Sequence, residues 1–217
     1  MSSNQIVKGK LVCVALNDAS QLAQLDSTFN EKPYLKPPTQ PVLYFKTHNT
    51  WSTDEAKIAP AKDGQSLVVG ASIAVVIGKQ CCRVSEESAV EYIGGLSLVH
   101  DFSLPETSYY RPDIKGKCLD GSAPVAQKPV AMSDISSLQD LEVTTSVNGQ
   151  QQRTLKVTDL HRSVEQLISL ISTIMTLEAG DVIAVGFPGE RIPVQAGDSV
   201  SSTMSGFVQL NNSVMGE

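Results

Sequence analysis

Apolar and polar positions along this chain fall mainly into short runs, most of them too short for helices. Lys10 to Leu16 is apolar enough for a strand, and Val42 to Lys46 reads the same way. Leu67 to Gly78, LVVGASIAVVIG, is apolar almost throughout and reads as a buried pair of strands. A further β run, Leu96 to Val99, delivers Asp101 at its end. Val130 to Met132, Leu141 to Val147, Thr154 to Val157 and Asp181 to Val185 add more, and Val200 to Leu210 supplies one or two terminal strands. Asn148-Gly149 between two such runs is a hairpin signal, because both residue types accept the positive φ that a tight turn requires. Pro33, Pro37, Pro38 and Pro41 mark Phe29 to Pro41 as a surface loop. Asp54 to Ser66, with Pro60 and Gly64, reads as a polar hairpin connection.

Helical spacing is confined to three places. Asn17 to Gln24 reads as a turn leading into a short helix held by Leu22 and Leu25. Ser85 to Tyr92 is predicted as a short helix, capped by Ser85, with Glu86 and Glu87 in its first turn and Gly94-Gly95 closing it. The longest is predicted near 159–175, capped by Thr158 or Asp159 and ended by Gly180. Its Leu160, Val164, Leu167, Ile168, Ile171 and Met175 follow the 3.6-residue period. The expected fold is therefore mostly β, a mixed β/α domain with a few short helices, spanning 1–217 as one unit.

Composition narrows the function classes. A hydrophobic fraction of 41% suffices for a real core. No run approaches the ~20 apolar residues of a membrane span. MSSNQIVKGK lacks the apolar stretch of a signal peptide, so a cytoplasmic protein is expected. Seventeen basic against 23 acidic residues give a net charge of -6, and no basic cluster points to nucleic acid. An anionic substrate would need a local positive pocket against that background. Cys13, Cys81, Cys82 and Cys118 form no CxxC pair, and Cys81-Cys82 in a strand would point to opposite faces, so they read as core or surface thiols.

Several separated words carry a family resemblance: AVVIGK at 74–79, SEESAVEYIGG at 85–95, HDFS at 100–103, KGKCLDGSAP at 115–124 and TLEAGDVIAVGFPG at 176–189. In this order they resemble the fumarylacetoacetate hydrolase family, from about Leu11 to Gly206. ALN at 15–17, SQL at 20–22, SLPE at 103–106 and YRPDIKGKC at 110–118 are similar to its isomerase/decarboxylase branch, which acts in aromatic-compound (4-hydroxyphenylacetate) catabolism. The resemblance implies a β-roll or sandwich, with about 1–50 as a lid-like segment. It also implies small diketo or enol dicarboxylate substrates that are isomerised, decarboxylated or cleaved at a C–C bond. A component of a 2-hydroxyhepta-2,4-diene-1,7-dioate isomerase / 5-oxo-1,2,5-tricarboxylate decarboxylase is the reading it favours.

The family uses a divalent cation, magnesium or manganese, as a Lewis acid on an α-oxo acid. Its pattern supplies a Glu-x-Glu pair and an Asp. Here the pair falls on Gly70 and Ser72, and Asp101 alone survives, so no cation is expected in this chain. Asp101 reads equally as that ligand or as an acid bracing a turn. His48 is a candidate ligand or base that reads more readily as a solvated loop histidine, and Glu106, five residues beyond Asp101, would reach it only if the Pro105 loop placed it there by chance. Lys117, before the family's [SC]-x-Asp word, is expected to face the substrate and hold a carboxylate or oxyanion. Arg111 offers a bidentate contact, or a surface charge paired with Asp113 or Asp120. Lys46 matches the lysine of the family's F-K-P word, with Thr47 in place of the proline, and the resemblance implies a substrate-binding role for it beside Lys117 and Arg111.

The lid positions where the family carries His and Glu fall on Gln21 and Gln24, which shuttle no proton near neutral pH. Phe187 stands where the family has the Thr of Gly-Thr-Pro. These changes leave two classes open. One is an enzyme component, with Lys117 and Asp101 at its centre. The other is a non-catalytic partner or small-dicarboxylate-binding protein that pairs with a metal-bearing sister chain or forms a homodimer.

Overall fold

The computed structural model describes residues 6–61 and 65–216. In chain order come β1 (Leu11–Ala15), α1 (Ala19–Phe29), β2 (Val42–Lys46), β3 (Trp51–Thr53), β4 (Lys57–Ile58) and β5 (Leu67–Ile77). Next are β6 (Ile93–Ser103), α2 (Ile114–Lys117), β7 (Ala123–Val125), β8 (Glu142–Val147), β9 (Gln150–Lys156) and α3 (Val164–Ile174). β10 (Val182–Ala184), β11 (Ile192–Val194), β12 (Ser199–Met204) and β13 (Val208–Val214) complete the chain. The fold is mostly β, as the run lengths predicted.

Two sheets organise it. One runs β2-β1-β10-β5-β6-β7-β3, with β11 added on β5; the other runs β4-β13-β12-β8-β9. Ile73 and Leu98 from the first sheet, Val143, Met204 and Leu210 from the second, and Leu167 and Ile171 from α3 share one buried cluster. The opposite face of the first sheet buries Cys13, Ala74, Val99, Ala184 and Phe187. Residues along β5 and β6 therefore divide by parity between the inter-sheet core and this second face. No helix among the described residues is long and apolar enough to cross a membrane.

Several expected boundaries move. Leu67–Ile77 is one continuous strand, not a pair, and β6 carries Asp101 within the strand, not at its end. Ser85 to Tyr92 forms turns and a 3-10 segment, Ala89–Tyr92, in place of an α-helix. The cause is Gly94-Gly95, which extend β6 instead of ending a helix. Gly78 donates to the Tyr92 carbonyl at 2.8 Å, and a Cβ on Gly78 or Gly94 would meet the other's Cα at 2.7 Å.

The C-terminal helix starts at Val164, because Ser163 and Gln166 form a capping box at 3.2 and 3.1 Å. Leu160 stays outside it, α3 ends before Met175, and at 11 residues it is matched in length by α1. Val130 makes only an isolated bridge to Leu96. Asp54 to Ser66 is no hairpin connection over its described part: β4 pairs in parallel with β13, and 62–64 lie outside the described residues. The Asn148-Gly149 hairpin forms as expected, with φ of 51° and 76° joining β8 to β9.

Candidate functional site

β5 builds the site through an interruption on one edge. β11 pairs with Leu67–Val69 and β10 with Ala74–Val76, so the edge between them is left to the loop 185–191. Across β5's other edge lies β6, where Gly70 stands opposite Asp101 and Ser72 opposite Val99. Directly opposed antiparallel residues share a face. The three positions singled out for a cation are thus gathered at one place.

Asp101 is completely buried and ringed by positive charge. Lys46 Nζ lies 2.6 Å from Oδ1. Lys117 Nζ at 3.2 Å and Arg191 Nη2 at 3.3 Å both reach Oδ2, and the Tyr44 hydroxyl donates to the same oxygen at 2.6 Å. Burial alone would raise the Asp101 carboxyl, but Lys46, Lys117 and Arg191 outweigh it and hold it well below the usual carboxylate range. Tyr44 is pushed well above its ordinary value by burial and by the Asp101 charge, so it stays a neutral donor. Burial, with the same charge, drives the Cys13 thiol up to about 12.

The candidate residues separate by access. Lys46 has no exposed side-chain surface, and besides its ion pair with Asp101 it donates to the Phe102 and Lys117 carbonyls and to Ser122 Oγ. That geometry braces Asp101 and leaves Lys46 no exposed side-chain surface with which to face a ligand. Lys117, on α2, lines a cavity of about 520 Å³ with Tyr44, Glu106, Tyr109 and Arg111. Arg111 is exposed at that cavity and forms no ion pair among the described residues. Glu106 lies 3.4 Å from Lys117 Nζ, and burial raises its carboxyl against the pull of Lys117 and Arg191. His48 is exposed on a 3-10 turn, its ring tilted against Trp51 with centroids 5.0 Å apart, and makes no contact with the Asp101 cluster among the described residues.

The start of α1 is tied to this region. Asp18 caps α1 and also accepts from the Gly189 N–H at 2.8 Å. Gln21 Nε2 donates to the Tyr109 hydroxyl at 2.8 Å. Gln24 is exposed.

At the three family ligand positions a divalent cation would find one carboxylate, Asp101, already paired with Lys46, Lys117 and Arg191. Among the described residues no group of three His, Cys, Asp or Glu could hold a metal. Ser72 Oγ is already engaged, donating to the Ile73 carbonyl at 3.0 Å and accepting from Gly186 N at 3.3 Å. A Cβ on Gly70 would collide with Arg191 Nη1. Sequence reading missed Arg191 and Tyr44. The signal for Arg191 was the bare backbone of Gly70, which marks a close approach by another group.

The profile of the Fumarylacetoacetate (FAA) hydrolase C-terminal family matches residues 10–215. The 4-hydroxyphenylacetate degradation bifunctional isomerase/decarboxylase of Escherichia coli is 39% identical over 97% of this chain and 48% of its own length. The chain thus spans about half the length of the curated relatives it matches most strongly. The 2-hydroxyhepta-2,4-diene-1,7-dioate isomerase of Mycobacterium marinum superposes with a TM-score of 0.78 at 26% identity, covering 97% of this chain and 76% of that one. Fumarylpyruvate hydrolase of Pseudomonas aeruginosa, in complex with Mn2+ and pyruvate, shares the fold, with a TM-score of 0.80, 20% identity and coverage of 97% and 91%.

Proposed function

The chain belongs to the fumarylacetoacetate hydrolase family, and on that premise we propose that it is the isomerase component of a system acting on 2-hydroxyhepta-2,4-diene-1,7-dioate or a similar small oxo-dicarboxylate. The observation that carries this reading is the convergence of Lys117 and Arg191 on Asp101 beside an aromatic-lined cavity. With Asp101 and Glu106 ionised, three cations face two carboxylates there, an excess of positive charge in a chain of net charge -6. Such an excess favours a dianionic substrate.

Isomerisation suits these groups. The enol oxygen at C2 loses its proton, the double bonds shift along the chain, and C5 gains a proton, with no change of oxidation state. Lys117 and Arg191 stabilise the charge that develops on the oxygen. Glu106 carries the proton: it is part-buried, its carboxyl is raised toward the working pH, and it borders the cavity. Tyr44 and Lys46 hold Asp101 in place and charged.

A second reading, a non-catalytic partner of a metal-bearing sister chain, is favoured by Gln21, which occupies the lid with a group that moves no proton. Pairing fits either reading, with a sister or with a second copy, since Phe45, Tyr110 and Ile114 are exposed apolar side chains around the cavity. The test is the loss of dienol absorbance when the chain meets 2-hydroxyhepta-2,4-diene-1,7-dioate, alone and with a sister. Turnover by the chain alone supports the isomerase. Turnover by the sister that this chain raises without contributing Glu106 supports the partner, and no turnover in any mixture contradicts the enzyme reading.

A further inference from the structure

We propose that Arg191 stands in for the divalent cation, so that this chain binds small oxo-acid dianions through its own guanidinium and without a metal. The inference rests on the anion site described above and deepens it. Two departures from the family pattern and one surviving family residue meet at one point. Gly70 has no side chain, and the space its Cβ would take is filled by Arg191 Nη1. Phe187 places its ring under the guanidinium, 4.3 Å from Cζ. Asp101, the one surviving carboxylate, pairs with Arg191 Nη2 at 3.3 Å. Each change alone removes something; together they seat one cation.

The guanidinium is also left with capacity to spare. Nη1 is buried and has no acceptor among the described residues. A buried donor without a partner is costly, and a ligand oxygen satisfies it. Lys117 lines the cavity and reaches the same Asp101 oxygen as Arg191, so a ligand held there by Lys117 lies next to the guanidinium. Two adjacent oxygens, as in an α-oxo carboxylate or its enolate, suit a planar fork with parallel donors. A metal ion is a poor competitor here. Of the three family ligand positions only Asp101 carries a carboxylate, and three cations already hold it.

The test is calorimetric titration of oxalate, a planar dianion with adjacent oxygens, first in the presence of a chelator and then with excess Mn2+. The unmodified chain is expected to bind oxalate equally in both. Arg191→Ala is expected to weaken binding roughly tenfold or more, the scale of a lost hydrogen bond to a charged group. Arg191→Lys should restore part of the affinity, since charge returns without the fork. Binding that appears only with Mn2+ overturns this inference and leaves the anion site standing. Unchanged affinity in a folded Arg191→Ala also overturns it. No binding under either condition removes the anion site itself, and this inference with it. Should Arg191→Ala not fold, titration of Mn2+ alone into the unmodified chain decides. Heat that saturates at one site, and is lost when Asp101 is changed to Asn, contradicts the inference; its absence supports it.

Discussion

His100 and Asp101 are neighbours on β6, both fully buried, and their surroundings are opposite in kind. His100 faces the second sheet. Its Nδ1 lies 2.8 Å from Asn212 Oδ1 and its Nε2 2.8 Å from Ser202 Oγ, which in turn meets Thr145 Oγ1 at 2.9 Å. Every partner is neutral, and burial lowers its pKa to about 4, so the ring is uncharged. Asp101 faces the site and is kept ionised by Lys46, Lys117 and Arg191. A strand exposes alternate residues to alternate faces, so one position decides which regime a group enters. The neutral network joins two sheets through buried side chains. The charged cluster borders a cavity and holds a donor without a partner, which makes it a candidate site.

The largest expected effect separates the two regimes. Asp101→Ala leaves Lys46 as a buried, uncompensated charge and is predicted to cost roughly 3–5 kcal/mol. His100→Gln keeps neutral partners around a neutral group and should cost distinctly less. Urea unfolding of both variants at pH 7 measures the difference, and equal losses would erase the distinction.

Acid titration sharpens it further. The unfolded His100 binds a proton below 6.5, and the folded one only near 4, so its stabilisation is complete above pH 6.5 and is lost as pH falls toward 4. A shift of that size corresponds to roughly 3 kcal/mol. Asp101, with its folded pKa depressed below 3.8, contributes stability that is lost only at lower pH still. His100→Gln should therefore remove the upper phase of acid destabilisation and leave the lower one, read from melting temperature against pH.

Smaller effects lie outside both clusters. Ser163→Ala breaks the capping box of α3 and should cost about 1 kcal/mol in the same urea assay. Arg111→Ala, at an exposed position on the cavity, is expected to weaken dicarboxylate binding by no more than roughly fivefold, the range of exposed charge contacts.

How legible these features were in the sequence depended on distance. Alternation and the Asn148-Gly149 turn are local, and they placed β8 and its hairpin correctly. The segment after Ser85 was misread because Gly94 and Gly95 serve strand pairing with residues near Gly78, a tertiary demand that local helix signals do not carry. Asp101 and Lys117 were visible as family positions, and they do meet. Arg191 was not. Its role follows from the missing side chain of Gly70, on a strand that only the fold brings beside it.

The central claim is that Lys117, on the Asp101 cluster, holds an anionic ligand at the cavity. Its most direct measurement is a calorimetric titration of oxalate into the unmodified chain, Lys117→Ala and Lys156→Ala, the last altering an exposed lysine on β9 with the same formal charge. The account predicts roughly tenfold or greater weakening for Lys117→Ala and no change for Lys156→Ala. Equal effects from the two substitutions, in folded proteins, would show that the ligand feels only net charge and would contradict it.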